Sequence, residues 1–249
     1  MKIYLGWFYP EFMSTYGDRG NIYALSYWAK ILGINLQVVT ISLKDPKEMI
    51  FKMDILFMGG AQDKQQEIVN QDLKNNKGEY LKKAIENGIV GLFVCGAYQF
   101  LGRYYKTACG TKIPGLSIFD LYTENPGENF PRLVGDIGIK TKINKSEIVV
   151  GFENHGGRTY LKDKNLAFGK VIFGFGNNGL DKTEGIFYKN TIGTYLHGPL
   201  LPKNPIITRF LLEKAIDRKY KRKIKRKNFD EEWEKRAKEA VIEKYIEIN

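Results

Sequence analysis

The stretch GIVGLFVCGAYQFLG, residues 88–102, decides how the chain is read. Its first half is a short apolar run, of the length and composition of a strand buried on both faces. The run stops at Cys95-Gly96, and AYQFLGRYY then follows in a helical pattern. A strand that turns directly into a helix lifts the residue at the turn above the sheet, and that residue is Cys95. A helix N-terminus favours the thiolate, the nucleophilic form, and its amides can hold a developing oxyanion. On this segment alone the ordinary alternative, a core cysteine after an apolar strand, stays open. Cys109 has no such setting and reads as structural.

Working outward, residues 2–8 read as a first strand, and the loop STYGDRGN follows. A helix is expected from about Asn21 to Leu32, with Gly33 as its stop. INLQVVTISL reads as a strand, MDILFMGG as a buried strand ending in a glycine pair, and residues 78–87 as a helix closed by Asn87-Gly88. Strands alternating with helices predict an α/β fold, a mostly parallel central sheet with helices on both faces. After about residue 110 the pattern becomes β-rich: RLVGDIGIKTKI, EIVVGFEN, AFGKVIFGFGN and GIFYKNTIGTYL extend the central sheet or form an antiparallel side sheet. A helix is expected from about Asn204, and a mixed-charge helix at DEEWEKRAKEAVIEKYIEI.

The 249 residues, 43% hydrophobic, suffice for one large domain with an appendage. No run of 18 apolar residues occurs, and the N-terminal stretch reads as a strand rather than a signal peptide. Two cysteines are too few for a disulfide framework and lack zinc-site spacing, so a reducing, cytoplasmic setting is expected. The net charge of +11 is concentrated: residues 214–227 hold nine basic residues and one acid, leaving about +3 for the rest. That segment has little aromatic interleaving, so nucleic acid is not an expected partner. No Walker A loop occurs, which argues against a P-loop nucleotide site in this chain.

A nucleophilic cysteine needs a base, and the chain has two histidines. His197, in GTYLHGPLLP, follows a strand end, the side of a parallel sheet on which sites form. His155, in GFENHGGRT, also follows a strand and is the rival; the ordinary reading of either is a structural turn residue. Gly59-Gly60 in FMGGAQD would let backbone approach a substrate closely.

Taken together, YGDRGN, GGAQDKQ, CGAYQFLG, GFENHGGRT and GTYLHGPLLPKNP resemble, in order and spacing, the class I glutamine amidotransferases. The similarity is to the cobyric acid synthase-like branch, and closest to the glutaminase subunits of lipid II isoglutaminyl synthases, over about residues 1–215. Ala97 stands where a second glycine is usual. The resemblance implies a flavodoxin-like glutaminase domain at 1–215 and a basic, helical C-terminal extension at 216–249. It implies hydrolysis of L-glutamine to glutamate and ammonia through a thioester on Cys95, with His197 as base. It places oxyanion-hole amides at Gly60 and Gly96, and glutamine contacts at Gln99, Arg132 and Asn154. An arginine suits the α-carboxylate because its fork can bind bidentately.

It also implies a Mur-ligase-like partner in a heterodimer, which holds ATP and Mg, uses the ammonia and amidates the D-glutamate α-carboxyl of lipid II in peptidoglycan synthesis. No cofactor or metal is expected in this chain. The pattern breaks at Pro199, where a glutamate two residues after the histidine is usual. The acid is then absent, supplied by Asp18 of the YGDRG loop, or supplied by the partner; the resemblance implies the last, with an aspartate of the partner, and Asp18 then reads as a turn residue or helix cap. A base without its acid is weak, so the isolated chain is expected to be a poor glutaminase whose rate the partner raises. Residues 214–227 read as a solvated face, a contact for an acidic partner surface, or a contact for anionic lipid at the inner face of the membrane. Two alternatives stay open: the glutaminase component of another cobyric-acid-type amidotransferase, and a non-catalytic scaffold of the same fold.

Overall fold

A computed structural model describes residues 1–61, 63–224 and 230–246. The first half alternates strand and helix: β1 (Lys2–Phe8), α1 (Arg19–Ile31), β2 (Asn35–Ile41), β3 (Ile55–Met58), α2 (Asp63–Asp72), α3 (Gly78–Glu86), β4 (Val90–Val94) and the short α4 (Gly96–Phe100). The second half is mostly strand: β5 (Tyr104–Lys106), β6 (Lys112–Pro114), β7 (Leu121–Glu124), β8 (Leu133–Thr141), β9 (Ile148–His155), β10 (Arg158–Leu161), β11 (Gly169–Phe173), β12 (Thr183–Glu184), β13 (Ile186–Tyr188) and β14 (Thr191–Thr194). Two helices follow, α5 (Pro205–Tyr220) and α6 (Glu232–Ile246).

The main sheet runs β13-β14-β4-β3-β1-β2, parallel except for the β13–β14 hairpin at one edge. β3, β4 and β14 are buried at every position, so both faces of the sheet centre are covered. Burying a side chain such as Leu92 or Phe93 contributes about 1.5–3 kcal/mol each, which is why apolar runs settle at the middle of the sheet. The later strands take both courses left open by the sequence. β13 and β14 extend the main sheet; β12-β11-β8-β9 and β10-β7-β5-β6 form two side sheets.

The helical pattern after Cys95 is cut short. α4 ends at Phe100, and Tyr104–Lys106 is the strand β5 rather than helix. A Cβ on Gly102 would lie 2.3 Å from Leu121 Cδ1, and Arg103 N–H donates to the Leu121 carbonyl at 2.8 Å. Pairing with the incoming chain overrides the local helical propensity.

α5 spans residue 215, and Ala215 and Ile216 are buried in the core with Leu211 and Leu212. The expected domain boundary therefore falls inside a helix packed on the main body. α6 lies against the β8–β9–β11 side sheet: Tyr245 stacks on Phe173 at 4.2 Å, and Lys238 pairs with Glu147 at 2.7 Å. Of the basic stretch 214–227, residues 225–227 lie outside the described residues. Among the described residues, no helix is long and apolar enough to cross a membrane.

Candidate active site

β4 and β14 lie side by side, with Val94 opposite Thr194. This register brings Cys95 and His197 to the same end of the sheet although they are far apart in the chain. Cys95 has φ 52° and ψ −108°, in the left-handed region, a conformation that costs a side-chain-bearing residue about 1–3 kcal/mol. It is held there by Cys95 N–H donating to the Thr194 carbonyl at 2.8 Å and by Gln99 N–H donating to the Cys95 carbonyl at 3.0 Å. Gly96 opens α4, so its amide has no intrahelical acceptor.

His197 is fully buried and pinned to β9 by a two-way bridge with Phe152: His197 N–H to the Phe152 carbonyl at 2.8 Å, Phe152 N–H to the His197 carbonyl at 3.2 Å. Its Nδ1 lies 3.2 Å from Asp18 Oδ1. A carboxylate only accepts, so Nδ1 carries the proton and Nε2 is the basic nitrogen. Nε2 is buried and makes no hydrogen bond. Burial alone would push the imidazolium down. The charge of Cys95 and the hydrogen bond to Asp18 outweigh it and raise His197 to about 10. His197 is thus engaged by Cys95 and by Asp18 at once.

Of the three sources of acid weighed from the sequence, the structure places Asp18 at the base. Asp18 is fully buried; its second oxygen, Oδ2, accepts the Gly60 amide at 2.7 Å. The whole STYGDRGN loop serves this arrangement. Gly20 packs on Pro199, where a Cβ would lie 2.4 Å from Pro199 Cγ, and Asn21 Oδ1 accepts Leu201 N–H at 2.9 Å. Pro199, at the position of the usual glutamate, is the surface on which α1 seats as it delivers Asp18.

Gly60 sits at the convergence of the three groups. A Cβ there would lie 2.8 Å from His197 Cε1 and 3.2 Å from Cys95 Cβ, so only glycine fits. Its N–H is taken by Asp18 rather than aimed at an open oxyanion position. Its carbonyl accepts both Thr15 N–H at 3.1 Å and Thr15 Oγ1–H at 3.0 Å. Gly96 faces Gln66, whose Nε2 donates to the Ala61 carbonyl at 2.8 Å and ties the elbow to the glycine loop.

Cys95 opens into a cleft of about 260 Å³ whose walls include Tyr16, Gln99, Arg132, Asn154 and Gly157. Arg132 Nε donates to Asn154 Oδ1 at 2.8 Å and NH2 to the Asn154 carbonyl at 2.9 Å. One edge of the guanidinium is thereby fixed, and NH1 is left toward the Gly156 side of the cleft. Gln99 is buried and donates from Nε2 to Tyr195 Oη at 3.0 Å, which fixes the orientation of its amide.

His155, the rival base, is in the cleft wall but differently engaged. Its Nδ1–H donates to the Gly157 carbonyl at 2.7 Å, its ring stacks on Tyr195 at 3.6 Å, and burial pushes its imidazolium below the ordinary range. It builds the wall rather than serving Cys95. Sequence reasoning missed Tyr16, Gln66, Tyr195 and the buried Glu184, which accepts Tyr195 N–H at 2.7 Å and anchors the strand end leading to His197. Tyr16 and Tyr195 lie inside quoted motifs, and Gln66 and Glu184 border quoted stretches, but nothing in the spacing marks any of them.

Residues 5–205 match the family of CobB/CobQ-like glutamine amidotransferase domains. The chain belongs to that family. Among its amidotransferase relatives, the lipid II isoglutaminyl synthase (glutamine-hydrolyzing) subunit GatD of Staphylococcus aureus is 46% identical over 238 residues, 95% of this chain and 93% of that one. The same-named subunit of Streptococcus pneumoniae is 42% identical over 212 residues, 85% and 80% of the two chains. The amidotransferase fold is shared with a Trypanosoma brucei CTPS glutaminase domain with bound acivicin, at TM-score 0.54 and 14% identity, covering 92% of this chain and 98% of that one.

Proposed function

We propose that this amidotransferase is the glutamine-hydrolysing subunit of a lipid II isoglutaminyl synthase, with Cys95, His197 and Asp18 as its catalytic triad. The observation that carries the chemistry is the buried His197, its Nδ1 on Asp18 and its Nε2 unpartnered beside Cys95. The substrate and acceptor rest on the similarity to the two GatD subunits.

The Cys95 thiolate attacks the side-chain amide carbon of L-glutamine, whose α-carboxylate lies on Arg132, with Gln99 and Asn154 lining the pocket. The Gly96 amide, free of an intrahelical acceptor at the start of α4, serves as the oxyanion donor in this reading. His197 gives its proton to the departing nitrogen; the C–N bond breaks, ammonia leaves and a thioester remains. The acylated sulfur carries no charge, so His197 loses the strongest of the influences that raise it. Its neutral Nε2 then takes a proton from water, which attacks the thioester. Collapse releases glutamate and restores the thiolate–imidazolium pair. The raised value thus suits the first half-reaction as acid, and its fall suits the second as base.

The ammonia passes to a Mur-ligase-like partner that holds ATP and Mg and amidates the D-glutamate α-carboxyl of lipid II. The exposed Lys214, Arg222 and Lys223 face outward for the partner or for anionic headgroups around its substrate, at the inner face of the membrane. Co-purification with the ligase, followed by ammonia release from glutamine with and without it, tests the assignment. Cys95→Ala should abolish release while the complex still assembles. Undiminished release from that variant would overturn the mechanism.

A further inference from the structure

Tyr16 touches both halves of the site. It lies in the loop between Thr15, which holds the Gly60 carbonyl, and Asp18, with φ 54° and ψ 30°. Its ring meets the His197 ring edge-on at 5.1 Å. Its Oη accepts Asn154 Nδ2–H at 3.0 Å. That assignment of the amide is forced, because Asn154 Oδ1 must accept from Arg132, which only donates. A chain of contacts therefore runs His197–Tyr16–Asn154–Arg132 across the mouth of the cleft. Tyr16 is 47% exposed, so core burial does not explain a large aromatic held in a left-handed conformation there.

We propose that Tyr16 is a positioning residue for substrate: its hydroxyl fixes Asn154 and, through it, the Arg132 fork that receives the α-carboxylate, while its ring closes over His197. The inference rests on reading the cleft as a glutamine site. Without the hydroxyl, Asn154 Nδ2 loses its acceptor, its amide turns more freely, and the two acceptors that align Arg132 Nε and NH2 are no longer held together. The loss falls on recognition of the carboxylate and not on the reactivity of Cys95.

Two alkylating reagents separate these effects. Diazo-oxo-norleucine carries the α-amine and α-carboxylate of glutamine; iodoacetamide carries neither. Labelling of Cys95 is followed by mass spectrometry in a Cys109→Ser background, because Cys109 is exposed and hydrogen bonds from Thr107 and Thr111 bring its thiol down to about 7. In Tyr16→Phe, the diazo-oxo-norleucine concentration for half-maximal inactivation should rise about three- to tenfold, as for one lost hydrogen bond, with the limiting rate unchanged. Iodoacetamide should react at the parent rate, and Tyr16→Phe should add nothing in an Asn154→Ala background. Parent-like behaviour with both reagents, equal slowing of both, or full additivity with Asn154→Ala would overturn the role of Tyr16. Absence of saturable diazo-oxo-norleucine labelling in the parent would overturn the glutamine reading itself, and this inference with it.

Discussion

Pro199 packs directly on Gly20, so that a single Cβ on the glycine would lie 2.4 Å from Pro199 Cγ. The proline stands two residues after His197, and the glycine stands two residues after Asp18, whose carboxylate lies on His197 Nδ1. The start of α1 and the segment after His197 meet in this one contact. Setting the Asp18 carboxylate on His197 requires α1 to approach the segment after His197 closely, and a glycine against a proline ring permits it.

Gly20→Ala should therefore act through Asp18. The added methyl meets a rigid ring, α1 shifts, and Asp18 draws away from His197. Glutaminase kcat should fall by on the order of 10²-fold, as expected for displacement of a catalytic group by about 1 Å. Pro199→Ala in the same chain should restore most of it. Steady-state rates of the two single variants and the double variant give the coupling directly; additive losses would mean that this contact does not position the acid.

With Asp18 already on His197, the isolated chain should hydrolyse glutamine without a carboxylate from its partner. Asp18→Asn should lower kcat by on the order of 10²–10⁴-fold, the effect of losing the group that fixes the tautomer and stabilises the imidazolium, with KM little changed. A lone chain that is inactive before the substitution, and activated by the partner to the same rate after it, would locate the working acid in the partner.

The two histidines should titrate on opposite sides of the ordinary value of 6.5. Proton NMR of the ring hydrogens should show His197 protonated to about pH 10, held up by Cys95 and Asp18 against burial, and His155 titrating below its ordinary value because burial disfavours its charge. In Cys95→Ala the largest of the influences that raise His197 is gone, so its imidazolium is less favoured and its titration should move to lower pH. An unmoved His197 would show that Cys95 carries no charge in the resting site.

Arg132→Lys should raise KM for glutamine about tenfold or more while kcat changes little. The fork aligned by Asn154 is replaced by a point charge that cannot bind a carboxylate bidentately. Initial rates over a range of glutamine concentrations separate the two parameters; a fall in kcat at unchanged KM would remove Arg132 from substrate binding.

Much of this molecule is legible in its residue order because the deciding information is local. The buried runs ILFM and VGLFV mark interior parallel strands, Gly96 and the short helix behind it mark the elbow, and the motif set marks the amidotransferase family. The end of α4 at Phe100 was not legible, since it follows from the pairing of Arg103 with Leu121, a contact between separate strands. Nor could spacing choose between His155 and His197, as both follow strands in glycine-rich turns.

The sequence by itself determined the α/β class, the elbow at Cys95, the two candidate bases and the missing glutamate at Pro199, because periodicity, turn chemistry and motif spacing are properties of neighbouring residues. Only the tertiary structure decided which histidine lies beside Cys95, which carboxylate lies on that histidine, and that Tyr16 spans the cleft. Those facts depend on the β4–β14 register and on the seating of α1 against the loop after His197, and Asp18 reaches His197 across 179 residues of chain. Such closeness is set by how whole elements pack, which no local pattern records.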